Sequence, residues 1–340
     1  MTIEAGQARS APTLEMVAAA AGVSRATVSR VVNASPKVSP DAVEAVQAAI
    51  LRLGYTPNRA ARSLANRRSM VIALVVPEDT TRLFGDPYFA AIVKGITDEL
   101  DASDYVLNLH LARSESAEKT LAYLTGGNVD GALVVSHHSG DEFLSTLGRH
   151  LPVVFGGRPI DPDTTDSVYI DIDNAAAAYD GTRYLIDAGC TRIATVTGPG
   201  DMPAGIDRLE GFRRALAEAG MPADLVADGD FTMTGGARAA RELLDRGESF
   251  DGLFVASDLM AVGAVTALRE RGLRVPDDVK VMGFDDSPAA LTGEVALTTV
   301  RQPSEEQGRL LARTLLQLLR GEDAARRTIM PTDIVVRQSA

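Results

Sequence analysis

Apolar residues recur at helical spacing in three short segments near the N-terminus. The predicted inward faces are Leu14, Val17, Ala18 and Ala21, then Val28, Val31 and Val32, then Val43, Val46, Ile50 and Leu53. Candidate caps and turns stand between these segments at Thr13, Gly22, Ser24, Ser39 and Gly54. Two short amphipathic helices joined by a tight turn, with arginine on the outer face of the second, are typical of a helix-turn-helix. That motif lays its second helix in the major groove of DNA.

From residue 71 the pattern changes to short apolar segments that alternate with helical stretches. The predicted strands are 71–76, 105–111, 131–136, 152–157, 167–172, 192–198, 225–231, 252–257 and 279–284. This alternation predicts parallel sheets covered by helices on both faces. The length of the region favours two doubly wound lobes, and we place the change of lobe near residue 160, with later crossings near 288–303. Ligands in such sheets bind beyond the carboxyl ends of the strands, so the residues there are candidate contacts.

The patterns divide the chain into four regions. We expect a disordered tail at 1–11, a helix-turn-helix DNA-binding domain at 12–57, a hinge helix and linker at 58–69, and an α/β ligand-binding domain at 70–340. In the hinge, residues 58–65 have helical composition, but Leu64 is their only large apolar residue. A helix so short and without a packing face is marginal alone. We therefore expect it to fold when DNA stabilises it.

Charge is distributed unevenly along the chain. The net charge is -12. Residues 1–70 hold nine Lys and Arg against four Asp and Glu, a net charge of +5, and the remainder holds 25 against 42, a net charge of -17. A basic segment joined to a large acidic one is typical of a part that contacts phosphates on a body that repels DNA. The alternative is a solvated acidic surface with a basic end that has no function.

The sequence lacks the signals of a membrane, secreted or catalytic protein. No apolar run approaches the ~20 residues that span a bilayer, residues 1–12 lack the apolar core of a signal peptide, and the single Cys190 excludes an intrachain disulfide. We therefore expect a cytoplasmic location. The adjacent His137 and His138 are not spaced to bind one metal ion, and the segment 200–205 lacks the lysine of a phosphate-binding loop. We expect no metal, no cofactor and no enzymatic activity.

Several segments together resemble the LacI/GalR family of bacterial repressors. They are TLEMVAAAAGVSRATVSRVVN from residue 13, GYTPNRAARSLA from residue 54, VMGFDDS from residue 281 and LTTVRQP from residue 297, and the resemblance covers about residues 12–338. It implies a small all-α head and an α/β body like that of periplasmic sugar-binding proteins. It also implies a homodimer, or a dimer of dimers, on a palindromic operator. The segments LFGDPY, GGRP, DIDN, GPGDMPAG and ASDLM resemble actinobacterial members that sense plant-cell-wall sugars such as cellobiose.

The candidate DNA contacts lie in the helix-turn-helix and the hinge. Hydroxyl groups near a helix N-terminus suit phosphates, and arginine suits guanine. The candidates are Thr13, Ser24, Arg25, Ala26, Thr27, Ser29, Arg30, Asn33, Lys37, Asn58, Arg59 and Leu64. By resemblance, Arg25 and Ala26 occupy the base-reading positions, and Leu64 inserts between base pairs in the minor groove. The alternatives are an ordinary exposed helix face for the arginines and packing against the body for Leu64.

The candidate effector contacts lie near strand ends in the body. Sugars are bound by polar side chains that share hydroxyl groups and by aromatic rings. The candidates are Phe84, Asp86, Tyr88, Arg158, Arg208, Phe231, Ser257, Asp258, Asp285 and Gln302. By resemblance, Asp285 is the sugar-binding aspartate and Arg208 the effector-binding arginine. The alternative for any one aspartate is a helix cap or a surface charge.

These observations favour a repressor that a small sugar releases from its operator. Co-repression would use the same residues with the opposite sign and stays open. No long heptad repeat follows residue 320, which favours a dimer over a tetramer. The rival interpretations are a sugar-binding protein without a regulatory role and an enzyme on an α/β scaffold.

Leu64→Ala tests the expected wedge in the minor groove. We expect the substitution to weaken binding to a specific palindromic site much more than binding to random duplex DNA, because only the kinked site receives the side chain. Fluorescence anisotropy with both duplexes at one salt concentration measures the two losses. Equal losses on both duplexes would contradict the wedge.

Overall fold

The computed structural model describes residues 12–32, 37–55, 68–112, 117–161 and 166–340. The chain forms two compact units, Met1–Ser69 and Met70–Ala340, which are called the head and the body below. The expected tail at 1–11 and most of the expected hinge lie outside the described residues.

The described part of the head contains the helices α1 Leu14–Ala21, α2 Arg25–Val32 and α3 Pro40–Leu53. Each helix contributes one fully buried valine, Val17, Val28 or Val46, to a common small core. Tyr55 closes this core just beyond α3. The spacing of apolar residues in the sequence therefore predicted these helices and their inward faces.

Short polar residues set the starts of the first two helices. The Oγ1 of Thr13 accepts a hydrogen bond from the backbone N–H of Met16, and the Oγ of Ser24 accepts one from that of Thr27 at 3.1 Å. Ser39 makes no such bond, and α3 begins at the proline that follows it. Proline at the first helical position loses nothing, because that N–H has no partner within the helix.

The first nine strands of the body lie at the nine segments that the sequence analysis predicted. They are β1 Val71–Val76, β2 Val106–Leu111, β3 Gly131–Val135, β4 Val153–Gly156, β5 Val168–Ile172, β6 Ile193–Thr197, β7 Val226–Asp228, β8 Gly252–Val255, β9 Lys280–Asp285, β10 Thr298–Arg301, β11 Arg327–Met330 and β12 Asp333–Val335. The last three strands are short, and the sequence analysis did not predict them. Polar residues such as Thr298, Thr299, Arg327 and Asp333 interrupt these strands, so no apolar segment marks them in the sequence.

Helices cover both sheets. They are α4 Thr80–Gly85, α5 Pro87–Leu100, α6 Ala117–Tyr123, α7 Phe143–His150, α8 Asn174–Asp187, α9 Pro203–Glu218, α10 Met233–Asp245, α11 Asp258–Glu270 and α12 Ser304–Arg320. A π-helical turn at Leu124–Asn128 and a 3-10 turn at Pro288–Leu291 complete the regular elements of the described residues.

The described strands form two sheets of six. The order is β11-β5-β4-β3-β1-β2 in the first lobe and β12-β10-β9-β8-β6-β7 in the second. Neighbouring strands pair in parallel, except that β12 runs antiparallel to β10. This is the expected architecture of two doubly wound lobes, each with its core strands buried on both faces.

The chain passes between the lobes at positions that only partly match the expectation. The first change follows β5, which pairs with β4 in the first sheet, so it lies beyond residue 172 and not near residue 160. The second lies between β10 and α12, at the end of the expected interval 288–303. A third, between β11 and β12, was not expected. Apolar composition identifies a strand but not its sheet, because pairing depends on residues distant in sequence.

Close backbone contact holds the returning helix α12 on the first lobe. A Cβ atom at Gly95 of α5 would overlap the carbonyl oxygen of Glu305, and one at Gly308 of α12 would overlap that of Ile92. The two glycines therefore let α5 and α12 approach more closely than larger residues permit. This approach brings Gln307 of α12 to β5, where its Nε2 donates a hydrogen bond to the carbonyl oxygen of Ile170 at 2.9 Å.

Polar contacts join the two lobes at the edges of the cleft between them. Arg158, after β4, makes a bidentate ion pair with Asp207 of α9, at 2.6 and 2.8 Å. Arg82 of α4 donates from Nη1 to the carbonyl oxygen of Asp230 at 2.6 Å. His138, after β3, lies 3.0 Å through its Nδ1 from Asp201, which follows β6. These contacts define one relative arrangement of the lobes.

His138 is held in its charged form by carboxylates from both lobes. Its Nε2 lies 3.3 Å from Glu78 of the first lobe, in addition to the contact with Asp201. The hydrogen bond to Glu78, followed by the contact with Asp201, raises the pKa of His138 to about 9, and partial burial opposes the rise. Because the pKa is raised in the folded protein, the charge stabilises the body fully below pH 6.5. That stabilisation is lost as the pH rises through about 9.

His138→Gln should therefore destabilise the body in a pH-dependent way. We expect the difference in unfolding free energy between wild type and variant to be largest near pH 6 and to shrink steadily up to pH 9.5. Urea unfolding at several pH values measures it. Other titrating groups cancel in the difference, and His150→Gln, at an exposed histidine outside the cleft, is the matched control. A difference that stays constant from pH 6 to 9.5 would contradict the ionic role of His138.

Candidate functional site

The outer face of α2 presents the residues predicted to meet DNA. Ser24, Arg25, Ala26 and Arg30 are exposed, and Ser29 is half-buried between them. Positions 25, 26, 29 and 30 lie on one side of the helix, opposite the buried Val28. The face is therefore continuous and free of large apolar groups, as a helix in the major groove requires.

The remaining head candidates are placed in different ways. Thr13 caps α1, and Thr27 is half-buried, with its Oγ1 2.9 Å from that of Ser24. Lys37 is exposed before α3. Four further candidates lie outside the described residues, namely Asn33, Asn58, Arg59 and Leu64.

Arg25 has a partner that the sequence analysis did not anticipate. Its Nε lies 3.2 Å from the Oε1 of Glu15 on α1, and both side chains are largely exposed. Hydrogen bonds at the helix start, and then Arg25, hold the pKa of Glu15 below its ordinary value. An exposed pair of this kind is worth little, so Arg25 can exchange Glu15 for a base or phosphate at small cost.

In the body, a cleft opens between the carboxyl ends of the strands of the two sheets. The space between its walls is about 650 Å³, including open solvent at its mouth. The lining side chains come from both lobes and from six or more elements. They are Arg82, Asp86, Tyr88, Ser136, His137, Asp171, Asn174, Met202, Pro203, Ala204, Arg208, Phe231, Asp285, Gln302 and Gln307, together with the backbone of Gly156 and Gly157.

Arg208 of α9 is the buried charge at the centre of this cleft. It is only 5% exposed. Its Nε donates to the Oδ1 of Asn174 at 2.9 Å, and its Nη1 donates to the carbonyl oxygen of Ala256 at 2.6 Å. The guanidinium carbon lies 3.6 Å from the centre of the Phe284 ring. Burial lowers the pKa of Arg208, but an arginine stays charged in proteins, so the site keeps a fixed cation.

Acidic side chains surround that cation. The Oδ1 of Asp285 lies 3.6 Å from Nη1 of Arg208 and accepts a hydrogen bond from Nε2 of Gln302 at 2.6 Å. Burial raises the pKa of Asp285 well above its ordinary value, while Arg208 opposes the rise. Burial also raises the pKa of Asp86 and that of Asp171, the latter to about 6. Carboxyl groups of this kind accept hydrogen bonds from hydroxyl groups and, when protonated, also donate to them.

The walls of the cleft are aromatic and conformationally strained. Phe231 is 5% exposed, and the Arg82 guanidinium carbon lies 4.8 Å from the centre of its ring. Tyr88 donates from its hydroxyl to Gln307 at 3.4 Å, and burial raises its pKa. Ser136, Phe231 and Asp285 all have positive φ angles. Strain of this kind in residues other than glycine clusters at binding sites.

Six of the ten residues predicted to contact an effector line the cleft. They are Asp86, Tyr88, Arg208, Phe231, Asp285 and Gln302. They come from both lobes and from segments more than 200 residues apart in the chain. The strand-end rule and the resemblance together therefore selected six of the seventeen residues that line the cleft.

The other four predicted residues do not line the cleft. Phe84 points to solvent and is 78% exposed. Ser257 caps α11 by accepting from the backbone N–H of Met260. Asp258 is fully buried and accepts hydrogen bonds from the Thr299 hydroxyl and the Ser287 backbone. Ser257 is therefore a helix cap. Asp258 is a buried structural group, which is neither the helix cap nor the surface charge expected as the alternative for an aspartate.

Arg158 is the fourth predicted residue that does not line the cleft, and it joins the two lobes instead. Its guanidinium binds Asp207 of the second lobe and the carbonyl oxygens of Pro159 and Ile160. It therefore closes the cleft from outside, across the lobes, and does not form part of the lining.

Several lining residues escaped the sequence analysis. Asp171 and Asn174 lie at the end of β5 in the DIDN segment, which was quoted for its resemblance but gave no candidates. Arg82 and Gln307 lie on helices, where no strand-end signal applies. His137 is the second residue after β3, and the strand-end rule could have selected it.

The described residues offer little support for a metal site, a nucleophilic thiol or a membrane-spanning helix. Among them, no group of three or more His, Cys, Asp or Glu side chains is placed to hold a metal ion. Burial raises the pKa of the Cys190 thiol to about 11, which makes it a poor nucleophile. None of the helices in the described ranges is long and apolar enough to cross a membrane.

Comparison with known families assigns both units. Residues 13–58 match the model of the bacterial regulatory proteins of the lacI family. Residues 182–340 match the model of the periplasmic binding protein-like domain.

Relatives of known role extend the match to nearly the whole chain. The chain is 47% identical to the HTH-type transcriptional regulator CelR of Thermobifida fusca, over 97% of this chain and 99% of that one. It is 34% identical to catabolite control protein A of Priestia megaterium, over 96% and 98% of the two chains.

Solved structures agree in fold. A CelR–cellobiose complex matches with a TM-score of 0.76 at 45% identity, over 97% of this chain and all of that one. The lac repressor dimer bound to operator and the anti-inducer ONPF matches with a TM-score of 0.87 at 28% identity, over 97% and 99% of the two chains. The relatives of this chain are transcriptional regulators and not enzymes. With a helix-turn-helix head and a two-lobed body that carries a ligand cleft, this chain belongs to the LacI family of DNA-binding transcriptional regulators.

Proposed function

We propose that the protein is a repressor that leaves a palindromic operator when cellobiose, or a related plant-cell-wall oligosaccharide, binds the cleft of the body. The observation that carries this proposal is the buried arrangement of Arg208, Asn174, Asp285 and Gln302 beside the ring of Phe231. The similarity to a CelR–cellobiose complex at 45% identity supports the choice of sugar.

The chemistry of the cleft suits a neutral polyol. Planar carboxyl, amide and guanidinium groups each engage neighbouring hydroxyl groups, and an aromatic ring packs against the C–H face of a pyranose. Asp86, Asp171 and Asp285 outnumber the two lining arginines, Arg82 and Arg208. An anionic effector would therefore meet a surplus of acidic groups, and an uncharged sugar would not.

An effector in this cleft contacts both lobes at once. Tyr88 and Asp86 belong to the first lobe, and Phe231 and Asp285 to the second. A ligand that fits one lobe angle better than another shifts the population towards that angle. The contacts of Arg158, Arg82 and His138 across the cleft must then form or break with the change.

The change of angle reaches DNA through the segment 58–69. We propose that this segment folds on the operator only when the lobes of both protomers hold the two hinges together, and that Leu64, Asn58 and Arg59 then contact the minor groove and backbone. The face of α2 reads the major groove, with Arg25 and Ala26 at the base edges. A coupling of roughly 1–3 kcal/mol between cleft and operator gives a 5–150-fold change in affinity. Because its proposed partner is DNA, we propose that the protein acts in the cytoplasm.

Binding to an operator in the presence and absence of sugar tests the proposal directly. The full-length protein is used to select inverted repeats from random duplexes, and the affinity for the best of them is measured by fluorescence anisotropy. We expect cellobiose to weaken binding 5–150-fold, and an unrelated disaccharide such as sucrose to have no effect. Tighter binding with cellobiose would replace induction by co-repression. No binding to any duplex at low salt would overturn the proposal.

Asp285→Asn separates effector binding from DNA binding. The variant keeps an acceptor for Gln302 but loses the charge that faces Arg208, and we expect at least a tenfold weaker response to cellobiose with unchanged operator affinity in its absence. Titration of the operator complex with sugar measures both quantities.

Asp286→Asn is the matched control for that variant. This neighbouring carboxylate pairs with Arg301 and Arg337 and does not line the cleft. It should lower the melting temperature without changing the sugar response. If Asp285→Asn stays fully inducible, the effector binds elsewhere.

A further inference from the structure

His137 carries a polar atom that nothing in the described chain satisfies. The residue is the second after β3, lines the cleft and is only 5% exposed. Its Nε2 lies 3.0 Å from the carbonyl oxygen of Arg158. Its Nδ1 is shielded from solvent and has no hydrogen-bond partner among the described residues. A buried polar atom without a partner is uncommon and calls for an explanation.

The partners of the ring decide which nitrogen carries the proton. Burial lowers the pKa of His137 to about 4, so the imidazole is neutral at physiological pH and has a single N–H. The Arg158 carbonyl oxygen can only accept, so the proton lies on Nε2. Nδ1 is left with a lone pair, and it is an acceptor that needs a donor.

Neighbouring groups cannot supply that donor. The hydroxyl of Ser136 donates to Glu78 at 2.6 Å, and Glu78 is also the partner of His138. The ring packs edge-to-face on Phe155, with 5.5 Å between ring centres. Together with the bond to Arg158, this contact fixes the direction of Nδ1.

The backbone beside the ring is kept free of side chains. Gly157 has a φ of +101°, which glycine adopts readily, and a Cβ atom there would lie 3.8 Å from Cε1 of His137. Gly156 and Gly157 both line the cleft. The edge of the imidazole is therefore flanked by backbone that carries no side chain.

We infer that Nδ1 of His137 accepts a hydrogen bond from one hydroxyl group of the effector, and that this acceptor selects for a free hydroxyl at that position. The inference rests on the proposed function, because it assigns a further contact in the same cleft. A deoxy or fluorinated position cannot donate to Nδ1, and a carboxylate group has no proton to give at neutral pH. His137 thus favours a neutral polyol for a second, independent reason.

The test couples two changes of His137 with changes of the sugar. His137→Leu removes both ring nitrogens, and His137→Asn also loses the Nε2 donor but retains a polar amide at the position of Nδ1. Comparison of the two variants isolates the contribution of Nδ1. Calorimetric titration of the full-length proteins with cellobiose, its single-deoxy and its single-deoxyfluoro analogues gives the affinities, and the melting temperature without sugar confirms that each variant folds.

We expect wild type to bind one deoxy analogue, and the fluoro analogue of the same position, about tenfold more weakly than cellobiose. His137→Leu should bind cellobiose about tenfold more weakly than wild type does, and it should bind the two analogues as well as it binds cellobiose. His137→Asn should still bind the deoxy analogue more weakly than cellobiose. His150→Leu, at an exposed histidine, should behave as wild type.

The outcomes separate the inference from the function on which it rests. If wild type binds cellobiose but His137→Leu discriminates every analogue as wild type does, the inference is wrong and the proposed function stands. If wild type binds no cellobiose at all, both are overturned.

Discussion

The burial of one cation organises the ligand-binding part of this protein. Arg208 lies almost out of solvent between the two lobes, where an isolated charge would be very costly. It is tolerated because acceptors converge on it from several elements, namely Asn174 at the start of α8, the carbonyl oxygen after β8 and Asp285 at the end of β9. The Phe284 ring supports its face. The acidic character of the cleft is thus the complement of a cation that the fold itself places there.

The same arrangement explains why the lobes are sensitive to a ligand. The groups that satisfy Arg208 leave lone pairs and protons directed into a cleft whose two sides belong to different sheets. Outside this centre the lobes are joined by ion pairs and hydrogen bonds, such as Arg158 with Asp207 and His138 with Asp201. Ion pairs across such an interface can form or break when the two lobes change their relative angle. An effector that satisfies the central groups can therefore change the balance among them.

The head depends on a different constraint, the completeness of a very small core. Its described helices bury Val17, Val28 and Val46 against one another and leave the outer face of α2 to small polar residues and arginines. Residues 1–70 carry a net positive charge and the rest of the chain a strongly negative one. Electrostatic attraction to a phosphate backbone is therefore confined to the part that presents the recognition face.

Local sequence determined the elements whose information is local. Helical spacing and short polar caps predicted α1 to α3, and nine apolar segments predicted nine strands in place, because side-chain periodicity and burial act within a few residues. The strand-end rule and the family resemblance then selected Arg208, Asp285 and Phe231. The tertiary structure alone decided which sheet β5 joins, where the chain crosses between lobes, and that α12 returns to bring Gln307 into the cleft. It also decided that Asp258 is a buried structural group, and that Arg82 and His137 lie in the cleft. These outcomes depend on pairing and burial between residues far apart in the chain, which no local pattern encodes.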